Sequence, residues 1–203
     1  MSYTTPDHVI EEAVRFHGHV CPGLVIGIRA SEVCLKEFGH NNEEPVCCVC
    51  ETDMCGVDAI QFMTGCTLGK GNLMQRDYGK MAFTFYRKRD GKGFRLLLNH
   101  DALGAEHAES AELLKKDLEG TITPEEAERL AMLRERTRLQ ILDAPIESLF
   151  TRMEPNQYIP RPAKILETLI CASCGEGIME SRSRRFDGKI LCIPCFNKVE
   201  QKV

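Results

Sequence analysis

The chain has 203 residues, 43% of them apolar and 28% charged, with a net charge of −4. That is enough apolar material for one sizeable core and a small second one, and the wrong charge for a protein that coats nucleic acid along its whole surface. No run of 18 uncharged residues occurs and the amino-terminal MSYTTPDHVIEE has no apolar centre, so neither a membrane span nor a secretory leader is expected and the protein is placed in the cytoplasm without a membrane partner.

TPDHVIEEAVRFHG predicts a first helix with Thr5 as N-cap, Pro6 at the first helical position and Gly18 as its stop. FHGHVCPG follows, with His17, His19 and Cys21 at alternate positions. Pro22 then opens a second helix that runs to Gly39, which leaves Cys21 at or beside its N-cap. PVCCVCE, residues 45–51, is short and apolar and reads as a buried strand in which Cys47, Cys48 and Cys50 pack as small hydrophobes. TDMCGVDAIQFMTG reads as a third helix, capped by Thr52 or Asp53, with Cys55 in its first turn and Gly65 at its end. A glycine-rich loop, CTLGKGNLMQRDYGK, precedes MAFTFYRKRDGKGFRLLLN, a hairpin turning around residues 90–93. A helix over 101–118, and another opened by the capping box Thr123-Pro124-Glu125-Glu126 and running to Leu142, complete the core. Strands and helices without regular βαβ alternation predict an α+β fold, a partly antiparallel sheet with packed helices.

MEPNQYIPRP holds Pro155, Pro160 and Pro162 and predicts an extended linker over 154–163, between a core domain over 1–153 and a small domain over 164–203. In the tail, Cys171 and Cys174 form one CxxC and Cys192 and Cys195 another, 17 residues apart. Four thiolates at this spacing complete the tetrahedron of a structural zinc, and knuckle, hairpin turn at Asp187-Gly188 and following helix resemble a treble-clef finger. Arg182, Arg184 and Arg185 make a basic patch on that hairpin, read first as a solvated face and second as a contact for nucleic acid or an acidic protein.

Eleven cysteines in a reduced compartment point to metal binding or thiol chemistry, not to a disulfide framework. In the core, His17, His19, Cys21 and Cys55 form the candidate site. A cysteine capping a helix faces unpaired backbone N–H groups, a setting that favours thiolate. Three readings stay open: a mixed nitrogen and sulfur metal site, a Cys21–Cys55 redox pair, or a packed turn. Cys21, His19 and Cys55 are the candidate catalytic groups, and His17, Asp58, Gln61, Lys70 and Asn72 the candidate pocket for a cofactor or small molecule. His100 and Asp101 are weaker candidates that serve equally as a helix cap. GCTLGKG lacks the spacing of a phosphate-binding loop.

FHGHVCPGLVIGIRA, ETDMCGVDAIQFMTGCTLGKGNL and DYGKMAFTFYRK, in this order, resemble FmdE, the family of formylmethanofuran dehydrogenase E-subunits, densely over residues 5–100 and again in the cysteine-rich tail. The resemblance implies an α+β core with a zinc-finger tail and a homodimer, and suggests service to a molybdenum or tungsten redox enzyme. Two classes of function follow: a metal-site or thiol protein acting on a small molecule or metal, and an interaction module whose finger recruits protein or nucleic acid. Whether it is an enzyme is left open.

Overall fold

The computed structural model describes residues 3–155 and 164–199. They fall into two units, one on each side of residues 156–163. Apart from Glu154 and Pro155, the expected linker lies outside the described residues.

The first unit begins with helices α1 (Asp7–His17) and α2 (Pro22–Phe38). The expected Thr5 cap is not formed: α1 starts after Pro6, whose ring has no hydrogen-bonding group to cap it. Thr5 is buried and its hydroxyl donates to Glu32 Oε1 at 2.7 Å, beside the Thr4 and Thr5 N–H groups at 2.8 Å. Glu32 in turn pairs with Nη1 of the fully buried Arg29 (2.6 Å), whose Nη2 donates to the Ala144 carbonyl at 2.7 Å. A buried charge needs such a partner set, and its carboxylate outcompetes the local cap for the threonine.

Strand β1 (Val46–Cys50) is buried throughout. It pairs in parallel with β2 (Leu73–Gln75) and antiparallel with β3 (Ala82–Arg87), which continues through the hairpin to β4 (Gly93–Leu98) and on to β5 (Phe150–Met153), giving the order β2-β1-β3-β4-β5. Strand alternation sends Cys48 and Cys50 to one face, where Phe83 and Phe85 lie opposite and α2 supplies Val25, Ile26, Ala30 and Cys34. Cys47 and Val49 go to the other face with Tyr86. The three strand cysteines therefore pack as the sequence predicts. The hairpin turn is held by Arg87, which grips Asp90 with two hydrogen bonds of 3.1 and 2.6 Å.

Helix α3 (Gly56–Thr64) crosses α2 where both are glycine. A Cβ on Gly27 would collide with the Gly56 carbonyl and stand 2.7 Å from the Gly56 Cα, so the two backbones touch. The expected helix over 101–118 divides. A 3-10 turn (His100–Leu103) ends at Gly104, whose φ of 80° breaks the helix, and α4 (His107–Leu118) begins after it. Helix α5 (Pro124–Asp143) has the expected capping box, and the short α6 (Ile146–Leu149) leads into β5.

The second unit contains the hairpins β6 (Thr168–Ile170) with β7 (Gly177–Met179) and β8 (Ser183–Phe186) with β9 (Lys189–Cys192), then α7 (Ile193–Phe196). Asp187 (φ 46°) and Gly188 (φ 72°) are both left-handed, as a two-residue turn between twisted strands requires. The whole chain is a mixed helix and sheet fold with a small cysteine-bearing finger. Among the described residues no helix is long and apolar enough to cross a membrane.

Candidate metal centres

The core cluster is assembled by two helix starts and one helix end. His17 is the last residue of α1, and Gly18 (φ 89°) turns the chain so that His19 and Cys21 follow on the same side. Cys21 is the N-cap of α2, its sulfur accepting from the Leu24 N–H at 3.4 Å. Cys55 is the N-cap of α3, one position earlier in that helix than expected; Thr52 instead accepts from the Met54 N–H at 3.2 Å. The glycine crossing of α2 on α3 brings the two caps together, and a Cβ on Gly23 would lie 3.3 Å from the Cys55 Cβ.

As a result one ligand atom each from His17, His19, Cys21 and Cys55 lies within 4.8 Å of the others. Metal–sulfur and metal–nitrogen bonds of zinc, about 2.3 and 2.0 Å, put tetrahedral ligand atoms roughly 3.5 Å apart. The His17 Nε2 to Cys21 Sγ separation is 4.0 Å, so the cluster fits one ion after a small contraction. The His17 Nδ1 stands 2.7 Å from Asp58 Oδ2. With the proton on Nδ1 the ring donates to the carboxylate and leaves Nε2 its lone pair, the arrangement that orients a metal-ligating histidine. Burial, and then the Cys21 sulfur beside it, push the Cys55 thiol up, against the thiolate expected at a helix start; the Cys55 side chain makes no cap hydrogen bond. Cys21 is buried and His19 exposed, so the cluster is closed on the helix side and open on the other.

The proposed pocket residues separate. His17, Asp58 and Gln61 line a recess of about 380 Å³ with Leu68 and Gln75, and Gln61 donates to Asp58 at 3.5 Å. Lys70 and Asn72 do not line it. The Lys70 ammonium donates to the Gly65 carbonyl at 3.2 Å, and Asn72 bridges Thr67, Val46 and Gly65, so both side chains hold the glycine-rich loop in shape. His100 and Asp101 are fully exposed and bond mainly to each other, at 3.2 Å. Sequence reasoning missed a second recess, of about 270 Å³, that has Cys21 and Cys55 in its lining together with α4 and α5 residues such as Leu114 and Arg134. The Gly23 and Gly27 spacing in α2, facing Gly56, was a readable sign of the close crossing; nothing local marks Arg134.

In the finger, one sulfur each from Cys171, Cys174, Cys192 and Cys195 lies within 4.8 Å of the others. The N–H groups of Cys174 and Cys192, with that of Ser173, converge on the Cys171 sulfur and bring its pKa down to about 6. That is the setting of a thiolate ligand. The fit is that of a closed four-sulfur zinc site.

Residues 16–151 match the family described as "FmdE, Molybdenum formylmethanofuran dehydrogenase operon". Residues 164–201 match the "Prokaryotic dksA/traR C4-type zinc finger". A curated relative from Archaeoglobus fulgidus, named "Probable S-adenosyl-L-methionine-binding protein", is 34% identical over an alignment covering 90% of this chain and 51% of the relative, so the chain spans about half that protein's length. A crystal structure of a tungsten formylmethanofuran dehydrogenase FmdE-like protein from Syntrophus aciditrophicus superposes with a TM-score of 0.61 at 23% identity, covering 94% of this chain and 91% of that one, which is a likeness of fold. The match over most of the core, with the C4-type finger behind it, makes this chain a member of the FmdE family.

Proposed function

We propose that the core is a metal site in its own right: His17, His19, Cys21 and Cys55 hold one transition-metal ion, zinc by the chemistry of a two-imidazole, two-thiolate set, and the finger holds a second, structural zinc. The observation that carries this is the convergence of the four ligand atoms within 4.8 Å, with Asp58 already set behind His17. A Cys21–Cys55 redox pair would need no imidazole at that point, whereas two are there. The buried Cys21 and the oriented His17 are the fixed ligands, and the exposed His19 is the one able to give way to an incoming molecule. An ion there supplies Lewis acidity to whatever enters from the open side.

The family description and the name of the solved relative refer to molybdenum and tungsten formylmethanofuran dehydrogenase, and we extend the proposal to an accessory role beside such a redox enzyme. A second copy of the chain is its first partner in this reading, supported by the exposed Leu118 of α4 and Met132 of α5. Cys21→Ser tests the core site, because serine keeps the cap on the Leu24 N–H while removing the soft ligand. The full chain should carry two metal equivalents and the variant one. Equal metal content in the two proteins defeats the proposal.

A further inference from the structure

We propose that the recess beside Cys21 and Cys55 binds a small monocarboxylic acid with an apolar body, its carboxylate held by Arg134. The proposal deepens the reading of the core site: it rests on that reading for the chemistry at the sulfurs, and on α5 for the anchor. Three of the four arginines of α5 are engaged. Arg129 grips Glu109 at 2.8 Å twice, Arg136 meets Glu106 at 2.7 and 2.8 Å, and Arg138 bonds Glu135. Arg134 alone of the four has no carboxylate partner among the described residues, and its half-buried side chain lines the recess. A guanidinium left unpaired beside an apolar wall is a matched site for a planar carboxylate, two N–H donors to two oxygens.

The wall defines the rest of the ligand. Ile26, Met54, Met81, Leu103 and Leu114 give the recess an apolar lining, while His107 and Ser110 of α4 and Thr137 of α5 are its other polar groups. A cavity of about 270 Å³ suits a small molecule, not a peptide. One unpaired cation balances one negative charge. Asp117, which shares an adjoining recess with Arg134, opposes the second charge of a dianion such as a phosphate monoester, Glu135 there being paired with Arg138. With the acid group on Arg134, the apolar body lies in the recess that Met54, Met81, Cys21 and Cys55 also line.

The full chain, labelled with carbon-13 at its methionine methyl groups and titrated with hexanoate, tests this. Met54 and Met81 should shift in a saturable way while Met179 of the finger stays still, and hexylamine, equal in length and opposite in charge, should produce no such shift. Arg134→Gln should weaken hexanoate at least about tenfold, and Arg134→Lys should recover part of that loss. Shifts that do not saturate, equal binding of hexylamine, or unchanged binding by Arg134→Gln overturn the proposal. Metal is assayed on the same samples. Arg134-dependent binding by a core without metal upholds the anion pocket and defeats the metal reading; a metal-loaded core that ignores hexanoate does the reverse.

Discussion

Replacing Gly27 by alanine should both loosen the fold and empty the core site. Alanine is the better helix former by about 1 kcal/mol, so a change read on α2 alone would stabilise. The added methyl would stand 2.7 Å from the Gly56 Cα and 2.8 Å from its carbonyl carbon, where ordinary contact begins at 3.4 Å. The obstruction is backbone, which has no rotamer to yield, and the Gly56 carbonyl oxygen is closer still, so α3 must withdraw by about 1 Å at a cost near the upper end of the ~1–3 kcal/mol seen for overpacking. The net loss of about 2 kcal/mol corresponds to a fall of roughly 4–8 °C in melting temperature for a domain of this size. The same withdrawal separates the caps that carry Cys21 and Cys55, and metal–sulfur bonds tolerate only about 0.2 Å. Calorimetry and metal analysis should therefore report a less stable core with one metal equivalent lost and the finger's zinc retained. A variant that melts with the parent and keeps both ions would show that the two backbones do not meet as described.

Asp58→Asn should weaken core metal binding by about ten- to a hundredfold in competition with a chelator; unchanged affinity would remove Asp58 from the site. Cys174→Ser should release the finger's zinc and leave residues after the linker open to protease while the core remains folded, and full zinc retention would contradict the four-sulfur assignment. Glu51, buried against Arg95 in two hydrogen bonds of 2.6 and 2.8 Å, is held below the usual carboxylate range by that guanidinium. Its contribution is present above the unfolded pKa of about 4.3 and is lost as pH falls through the lower folded value. Glu51→Gln should remove that part of the acid dependence and cost about 3 kcal/mol at neutral pH by stranding Arg95; an unaltered denaturation midpoint at pH 7 would count against the pair.

Local chemistry was legible and long-range competition was not. The stops at Gly18, Gly39 and Gly65, the Cys21 cap, the hairpin at Asp90-Gly91 and the capping box at Thr123 each depend on residues within a few positions, and the structure has all of them. Thr5 failed as a cap because Glu32, 27 residues away, claims its hydroxyl. The helix over 101–118 failed because its apolar pattern passes through Gly104 unbroken, and only the left-handed φ there reveals the turn. The four residues of the core cluster were readable as residue types at helix ends, whereas their meeting depends on the contact of Gly27 with Gly56: the Gly23 and Gly27 spacing marks a close crossing of α2 but does not name α3 as the partner. Lys70 and Asn72 looked like pocket groups because a polar side chain in a loop reads the same whether it faces a ligand or a backbone carbonyl.

The distribution of the cysteines sorts the chain's sulfur into two chemical classes. Cys34, Cys47, Cys48, Cys50 and Cys66 have no exposed surface. Burial raises the thiols of Cys34 and Cys48 and takes those of Cys47 and Cys66 to about 11. The remaining six belong to the two ligand clusters. Electrophiles and oxidants react with thiolate, so in the folded state they find almost nothing in the first class, and the second is where reactive sulfur lies. A protein this rich in cysteine can thus pass through mild oxidative stress with its sheet untouched, its vulnerability confined to the six cysteines of the two clusters.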